Sequence, residues 1–172
     1  MPAAQEDELI AAFEETRFEQ FVLHGQPARR MVRSYGWSYS FGDRRLTPTD
    51  PMPPHVARLR SLAAVLADVP AIAFEQALVT KYPPGATIGW HRDVPSFGPV
   101  VVGVSLGAPC RLRLRRVVGG VRYLHEQVLE PRSVYILARL ARSAWEHSVP
   151  PTDELRYSVT FRTIRAREEP TG

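Results

Sequence analysis

Apolar positions recur at helical spacing in two parts of the chain. Over Glu6–Glu15 they are Leu9, Ile10 and Phe13, which predicts a short N-terminal helix. Over residues 54–68, "PHVARLRSLAAVLAD", the residues Val56, Leu59, Leu62 and Ala63, with Val65 and Leu66, form an apolar face, and Pro54 and Pro70 bracket the segment. Proline is tolerated at a helix start and blocks continuation at its end, so this is the strongest helix signal in the chain. Between the two helices "FEQFVLHG" reads as a strand ending at Gly25. Residues 28–54 mix aromatics, arginines, glycines and prolines, which predicts strand fragments and long loops.

From Ala73 onward the period shortens to two. "FEQALVTKY", "TIGWH", "VVVGVSL", "CRLRLRR", "VRYLHEQVL", "SVYILA", "SAWEHSV" and "LRYSVTFRTI" follow one another, with "PPG" and "GG" among the turns between them. About eight strands with little helix predict an antiparallel sandwich or jelly roll, with the 54–68 helix covering one sheet face. The fold class expected is therefore mainly β with flanking helices.

Composition narrows the class. A chain of 172 residues with 44% apolar content is expected to form one soluble domain. The acidic start, "MPAAQEDELIAAFEETRFEQ", lacks the basic flank and apolar run of a signal peptide, and no apolar run approaches membrane-spanning length. The single cysteine, Cys110, cannot form an internal disulfide, which fits a reducing compartment. A cytoplasmic monomer with no membrane partner is expected. The net charge is +4, and 21 of the 22 basic residues are arginine, Lys81 being the exception. Arginine offers flat bidentate donors to phosphate and carboxylate, so the balance permits a nucleic-acid partner without requiring one.

The candidate chemistry begins at "WHRD". In an extended segment residues i and i+2 share a side, so His91 and Asp93 can face one ion while Arg92 turns away. In "SAWEHSV" the strand places His147 on one face with Trp145 and Val149. Two histidines and a carboxylate are the ligand count of a non-haem Fe(II) site with open positions. In "RYSVTFR" Arg156, Ser158, Thr160 and Arg162 share one face, while Tyr157, Val159 and Phe161 share the other. If helices cover the apolar face, the polar face lines a pocket in which two arginines can hold a dicarboxylate.

The order H-x-D, distant histidine, then R-x-x-x-x-x-R ending in "TFR" resembles the AlkB family of Fe(II)/2-oxoglutarate dioxygenases. The resemblance runs from about Ala73 to Arg165, with a looser similarity from residue 29 through "YGWSYSFGDRRLTP". It implies a double-stranded β-helix core over 73–165 behind an N-terminal extension, 1–72, that carries a nucleotide-recognition lid at about 29–54. His91, Asp93 and His147 would hold Fe(II). Arg156 would pair with the distal carboxylate of 2-oxoglutarate, helped by Tyr82, and Arg162 would lie nearer the end that chelates iron. Thr80 and Ser158 stand where the family motifs carry asparagine, and each keeps a shorter hydrogen-bonding group.

The reaction implied consumes O2 and 2-oxoglutarate, hydroxylates a methyl carbon on nitrogen, and releases formaldehyde, succinate and CO2. A methylated base must leave its stack to reach such a site. Trp37 is the first candidate to stack on it, then Tyr35 and Tyr39, with Arg29, Arg30, Arg33, Arg44 and Arg45 as phosphate contacts. Trp90 and Trp145 are expected to pack in the core. Arg111, Arg113 and Arg115 form a stripe on one strand face, either a solvated face or a phosphate track. The expected partner is methylated, single-stranded DNA or RNA. Two alternatives stay open: the same chemistry on a protein side chain or small molecule, and a jelly-roll protein that binds metal and ligand without turnover.

Overall fold

The computed structural model describes residues 1–23 and 25–165. Helix α1 (Ala3–Glu14) precedes strands β1 (Glu19–Leu23), β2 (Gln26–Tyr35), β3 (Trp37–Ser40) and β4 (Arg45–Pro48), and α2 (Pro54–Ala67) follows. Then come β5 (Phe74–Tyr82), β6 (Ile88–His91), β7 (Phe97–Gly107), β8 (Cys110–Val118), β9 (Val121–Leu129) and β10 (Val134–Ala138). A short helix, α3 (Arg139–Ser143), leads into β11 (Glu146–Val149) and β12 (Arg156–Ile164). Each of the eight segments expected after Ala73 forms a strand.

The strands pair in the order β1-β2-β5-β12-β7-β10 in a large sheet and β6-β11-β8-β9 in a small one, while β3 and β4 form a separate hairpin. Every pairing is antiparallel. This is the jelly-roll architecture the strand pattern predicts. The region 28–54 is more regular than expected. Residues 26–35 form one continuous strand on the edge of β5, with Met31 opposite Lys81 and Tyr35 opposite Ala77. The arginines there are compatible with a strand because one sheet face is open to the cavity described below.

The main core lies between the helices and the outer face of the large sheet. Leu9 and Phe13 of α1 and Val56, Leu59, Ala63 and Ala64 of α2 pack with Val79, Val104, Tyr157, Val159 and Phe161. The face of α2 is turned from the one expected: Leu62, Val65 and Leu66 are exposed, and the stripe 56–59–63 meets the sheet. Glu6 ties α1 down. Its carboxylate, 5% exposed, accepts from the Gly107 amide and from Arg132 Nη1, both at 2.9 Å. With its apolar face covered, β12 presents Arg156, Ser158, Thr160 and Arg162 to the space between the sheets. A smaller cluster of Cys110, Leu112, Leu129 and Val149 closes one side of that space.

Candidate active site

His91 ends β6 and His147 lies in β11, and the two residues are direct partners in the antiparallel register. Their rings are 4.1 Å apart. Asp93 follows His91 by two residues, and the donor atoms of His91, Asp93 and His147 all lie within 4.8 Å of one another. His91 Nδ1 donates to the Gly89 carbonyl at 2.9 Å. A carbonyl can only accept, so the proton sits on Nδ1 and Nε2 keeps its lone pair for a ligand bond.

The protonation states suit a cation. Burial lowers the pKa of both imidazoles, and His147, which also feels His91, is pushed down to about 4. Burial opposes the charge on Asp93, yet Arg162, His147, His91 and Arg142 outweigh it and hold the carboxyl below its usual range. Neutral imidazoles beside an ionised carboxylate are the forms that bind metal. Arg162 fixes the carboxylate: its Nη2 donates to Asp93 Oδ1 and its Nη1 to Gln76 Oε1, each at 3.0 Å. The Arg162 and Asp93 side chains are only 9% and 7% exposed.

Arg156 lies six residues earlier on the same face of β12 and is 1% exposed. Its Nε donates to Ser105 Oγ at 3.2 Å, and its guanidinium sits 4.9 Å from the Tyr82 ring centroid. Nη1 is buried and has no partner. A buried guanidinium nitrogen without an acceptor is costly, and a carboxylate at that point would relieve it. Thr80 and Ser158 face each other across β5 and β12 and form the floor beside it.

The metal cluster and the arginine strand line one cavity of about 610 Å³, within the range of ligand sites. Its outer wall comes from the N-terminal strands. Phe21, Tyr39 and Phe41 form an edge-to-face chain, with Phe21–Phe41 centroids at 5.5 Å and Tyr39–Phe41 at 5.0 Å. Arg30 lies 3.8 Å from the Phe21 ring centroid and donates to the Thr87 carbonyl. Arg33 also lines the wall and pairs with Asp50.

The structure brings together His91, Asp93, His147, Tyr82, Thr80, Arg156, Ser158, Arg162 and Tyr39 on this cavity. Of the stacking and phosphate candidates, Arg30 and Arg33 also line it, while Tyr35, Trp37, Arg44 and Arg45 do not. Tyr35 is a core residue, 7% exposed and packed with Val56 and Ala77, because β2 turns it toward the helices. Trp37 is half-buried in the β3–β4 hairpin, and Arg44 and Arg45 are exposed at that hairpin's turn; none of the three lines the cavity. Phe21 and Phe41, not singled out in the sequence, line the cavity. Phe21 lies in the strand expected over "FEQFVLHG", but strand period alone did not mark it as facing a cavity, and Phe41 lies in a turn segment with no periodic signal.

Trp90 and Trp145 also differ from expectation. Both are half-buried under guanidinium groups, Arg113 and Arg115 over Trp90 and Arg116 over Trp145. Arg113 donates to Ser148 Oγ and Arg115 pairs with Glu146 at 2.8 Å, so much of the Arg111–Arg115 stripe is engaged within the small sheet.

Two residues that carried no sequence signal also bear on the site. Arg142 of α3 donates to the carbonyls of Asp93, Val94, Phe97 and Gly98. Tyr135 of β10 lines the cavity near Tyr82 and Arg156.

Comparison with known proteins agrees with this geometry. Residues 1–162 match the 2OG-Fe(II) oxygenase superfamily, and the chain belongs to that superfamily. Its AlkB-like character is borne out by curated relatives. It is 24% identical over 187 residues to the Alkylated DNA repair protein ALKBH8 homolog of Arabidopsis thaliana, a match covering 94% of this chain and 52% of that protein. It is 27% identical over 154 residues to the Alpha-ketoglutarate-dependent dioxygenase AlkB of Escherichia coli, covering 77% and 69% of the two chains. The chain thus spans about half the length of the Arabidopsis relative.

Two solved structures share the fold. OsALKBH1 has a TM-score of 0.68 at 17% identity, covering 95% of this chain and 92% of that one. A Pseudomonas putida prolyl-4-hydroxylase has a TM-score of 0.64 at 17% identity, covering 96% and 89%. The family's reactants are Fe(II), 2-oxoglutarate and O2. The donor set here fits that metal, two neutral histidines with one carboxylate, and the unpartnered Arg156 nitrogen fits the cosubstrate's carboxylate. No helix among the described residues is long and apolar enough to cross a membrane.

Proposed function

We propose that this protein oxidatively removes methyl groups from the ring nitrogens of bases in single-stranded DNA or RNA. His91, Asp93 and His147 hold Fe(II). With 2-oxoglutarate and O2, the metal supplies the oxidising power to hydroxylate an unactivated methyl carbon. One oxygen atom of O2 ends in succinate, with loss of CO2, and the other in the hydroxymethyl group. That group leaves nitrogen as formaldehyde.

The chain's own residues bind and orient. Arg156 and Tyr82 hold the distal carboxylate of 2-oxoglutarate over the Thr80–Ser158 floor. Arg162 keeps Asp93 ionised and aimed at the metal. The core beneath β12 and the wall of the N-terminal strands limit water around the reacting carbon.

The observation that carries the nucleic-acid reading is the outer wall, where Phe21, Tyr39 and Phe41 stand beside Arg30 and Arg33 on the cavity that reaches His91 and His147. Aromatic faces interleaved with guanidinium groups suit a flat base and its phosphate. A net charge of +4 and one relative named for alkylated DNA repair lend the same support.

The test is binding of a short single strand carrying one 1-methyladenine, against the unmodified strand. Tyr39→Ala and Phe41→Ala should each weaken the methylated complex by about 5- to 150-fold, the equivalent of one base–aromatic stack of about 1–3 kcal/mol. If neither variant matters and methylated peptides compete instead, the substrate is a protein side chain.

A further inference from the structure

Tyr135 lies at the edge of the large sheet but reaches its middle. On β10 it is the direct partner of Gly103 in β7, and Gly103 is the partner of Thr160 in β12. A Cβ built on Gly103 would overlap Tyr135 Cζ, Cε1 and the hydroxyl oxygen. The ring therefore crosses β7 through the gap left by the missing side chain, toward the face that carries Arg156 and Arg162. The adjacent row across the sheet is Thr80, Ser158 and Ser105, all short, so the floor leaves room for the phenol.

Two polar groups meet in this part of the cavity. Arg156 Nη1 is buried and unpaired. The Tyr135 phenol lines the same cavity, close enough to Tyr82 and Arg156 to feel both. Burial first, then the neighbouring Tyr82 phenol, pushes the Tyr135 pKa up to about 12 against the pull of Arg156, so it stays a protonated donor. A donor phenol and a free guanidinium nitrogen above a short-residue floor are what a carboxylate needs.

We propose that Tyr135, seated on Gly103, donates a hydrogen bond to the carboxylate of 2-oxoglutarate that Arg156 holds, and so makes the pocket selective for a dicarboxylic 2-oxo acid. This deepens the cosubstrate chemistry of the superfamily and is independent of what the methylated substrate is. Tyr135 is then a third holder of that carboxylate beside Arg156 and Tyr82, supplied from an edge strand two strands away from β12.

The experiment uses the full chain loaded with Fe(II) under anaerobic conditions, with no nucleic acid present. Binding of 2-oxoglutarate and of 2-oxobutyrate, which keeps the 2-oxo acid end but lacks the distal carboxylate, is titrated by the charge-transfer absorption of the chelate. Thermal unfolding of each variant verifies the fold. Tyr135→Phe keeps the ring and should weaken 2-oxoglutarate about tenfold or more, as expected for loss of a hydrogen bond to a charged group, with 2-oxobutyrate within about twofold of the parent. Gly103→Ala, which keeps the hydroxyl but displaces the ring, should give the same selective loss. Unchanged 2-oxoglutarate binding in Tyr135→Phe would overturn the proposal, as would equal weakening of both acids, which would make the ring a packing element only.

Discussion

The geometry of Asp93 depends on a side chain 49 residues further along, which makes Arg142 the most informative place to perturb the site. Its Nε donates to the Gly98 carbonyl at 3.2 Å and its Nη1 to the Asp93 carbonyl at 3.2 Å. Nη2 serves Val94 and Phe97, both at 3.1 Å. One guanidinium thus ties the loop between β6 and β7 to the start of β7. A net hydrogen bond contributes about 0.5–1.5 kcal/mol, and water recovers part of the loss at a half-buried position. Arg142→Met, which keeps the apolar stem, should therefore cost about 2–4 kcal/mol in urea unfolding.

A loosened ligand loop should also weaken the metal about 10- to 100-fold, the usual effect of removing a support behind a ligand. Arg142→Lys keeps a cation near Asp93 but cannot reach four carbonyls, so it should recover only part of both losses. Chelator competition measures the metal affinity. Wild-type affinity in Arg142→Met, whatever its stability, would refute the claim that this clamp positions Asp93.

Metal-free protein should lose stability on acidification. Folding lowers the His147 pKa from its ordinary 6.5 to about 4, so below pH 6.5 the unfolded chain binds more protons than the folded one. The contribution is present in full above pH 6.5 and is lost as pH falls toward 4, about 3 kcal/mol in all; His91, also lowered, acts in the same direction. Urea midpoints between pH 7.5 and 4.5 would measure this, and His147→Gln should flatten the slope. Gly36 joins β2 to β3 at φ +75°, and a Cβ there would overlap the Glu75 carbonyl oxygen. Gly36→Ala should cost about 2–4 kcal/mol in thermal unfolding, from left-handed strain and overpacking together; an unchanged melting temperature would contradict the tight join.

What could be foreseen in the sequence was what depends on period and residue type. R-x-x-x-x-x-R shared a face because strand alternation requires it, whereas β6 ends at His91 and Asp93 reaches the same side from just beyond it. The eight strands after Ala73 were visible because turns punctuate them. The outer wall was not, since which of several aromatics faces a cavity depends on how β2 docks on β5. That docking buried Tyr35 and left the cavity to Phe21, Tyr39 and Phe41. Arg142 and Tyr135 were hidden for a related reason. Their partners are carbonyls of a distant loop and an absent side chain at Gly103, and neither leaves a mark in residue type.

The central claim is tested most directly by product release. Fe(II), 2-oxoglutarate and ascorbate are supplied with single-stranded DNA or RNA carrying 1-methyladenine or 3-methylcytosine, and formaldehyde and succinate are measured together. The account predicts formaldehyde in proportion to bases restored, with succinate alongside, and neither product from His91→Ala or Asp93→Ala at unchanged fold. Succinate without formaldehyde on any methylated strand would contradict the substrate, and full turnover in either ligand variant would contradict the metal site itself.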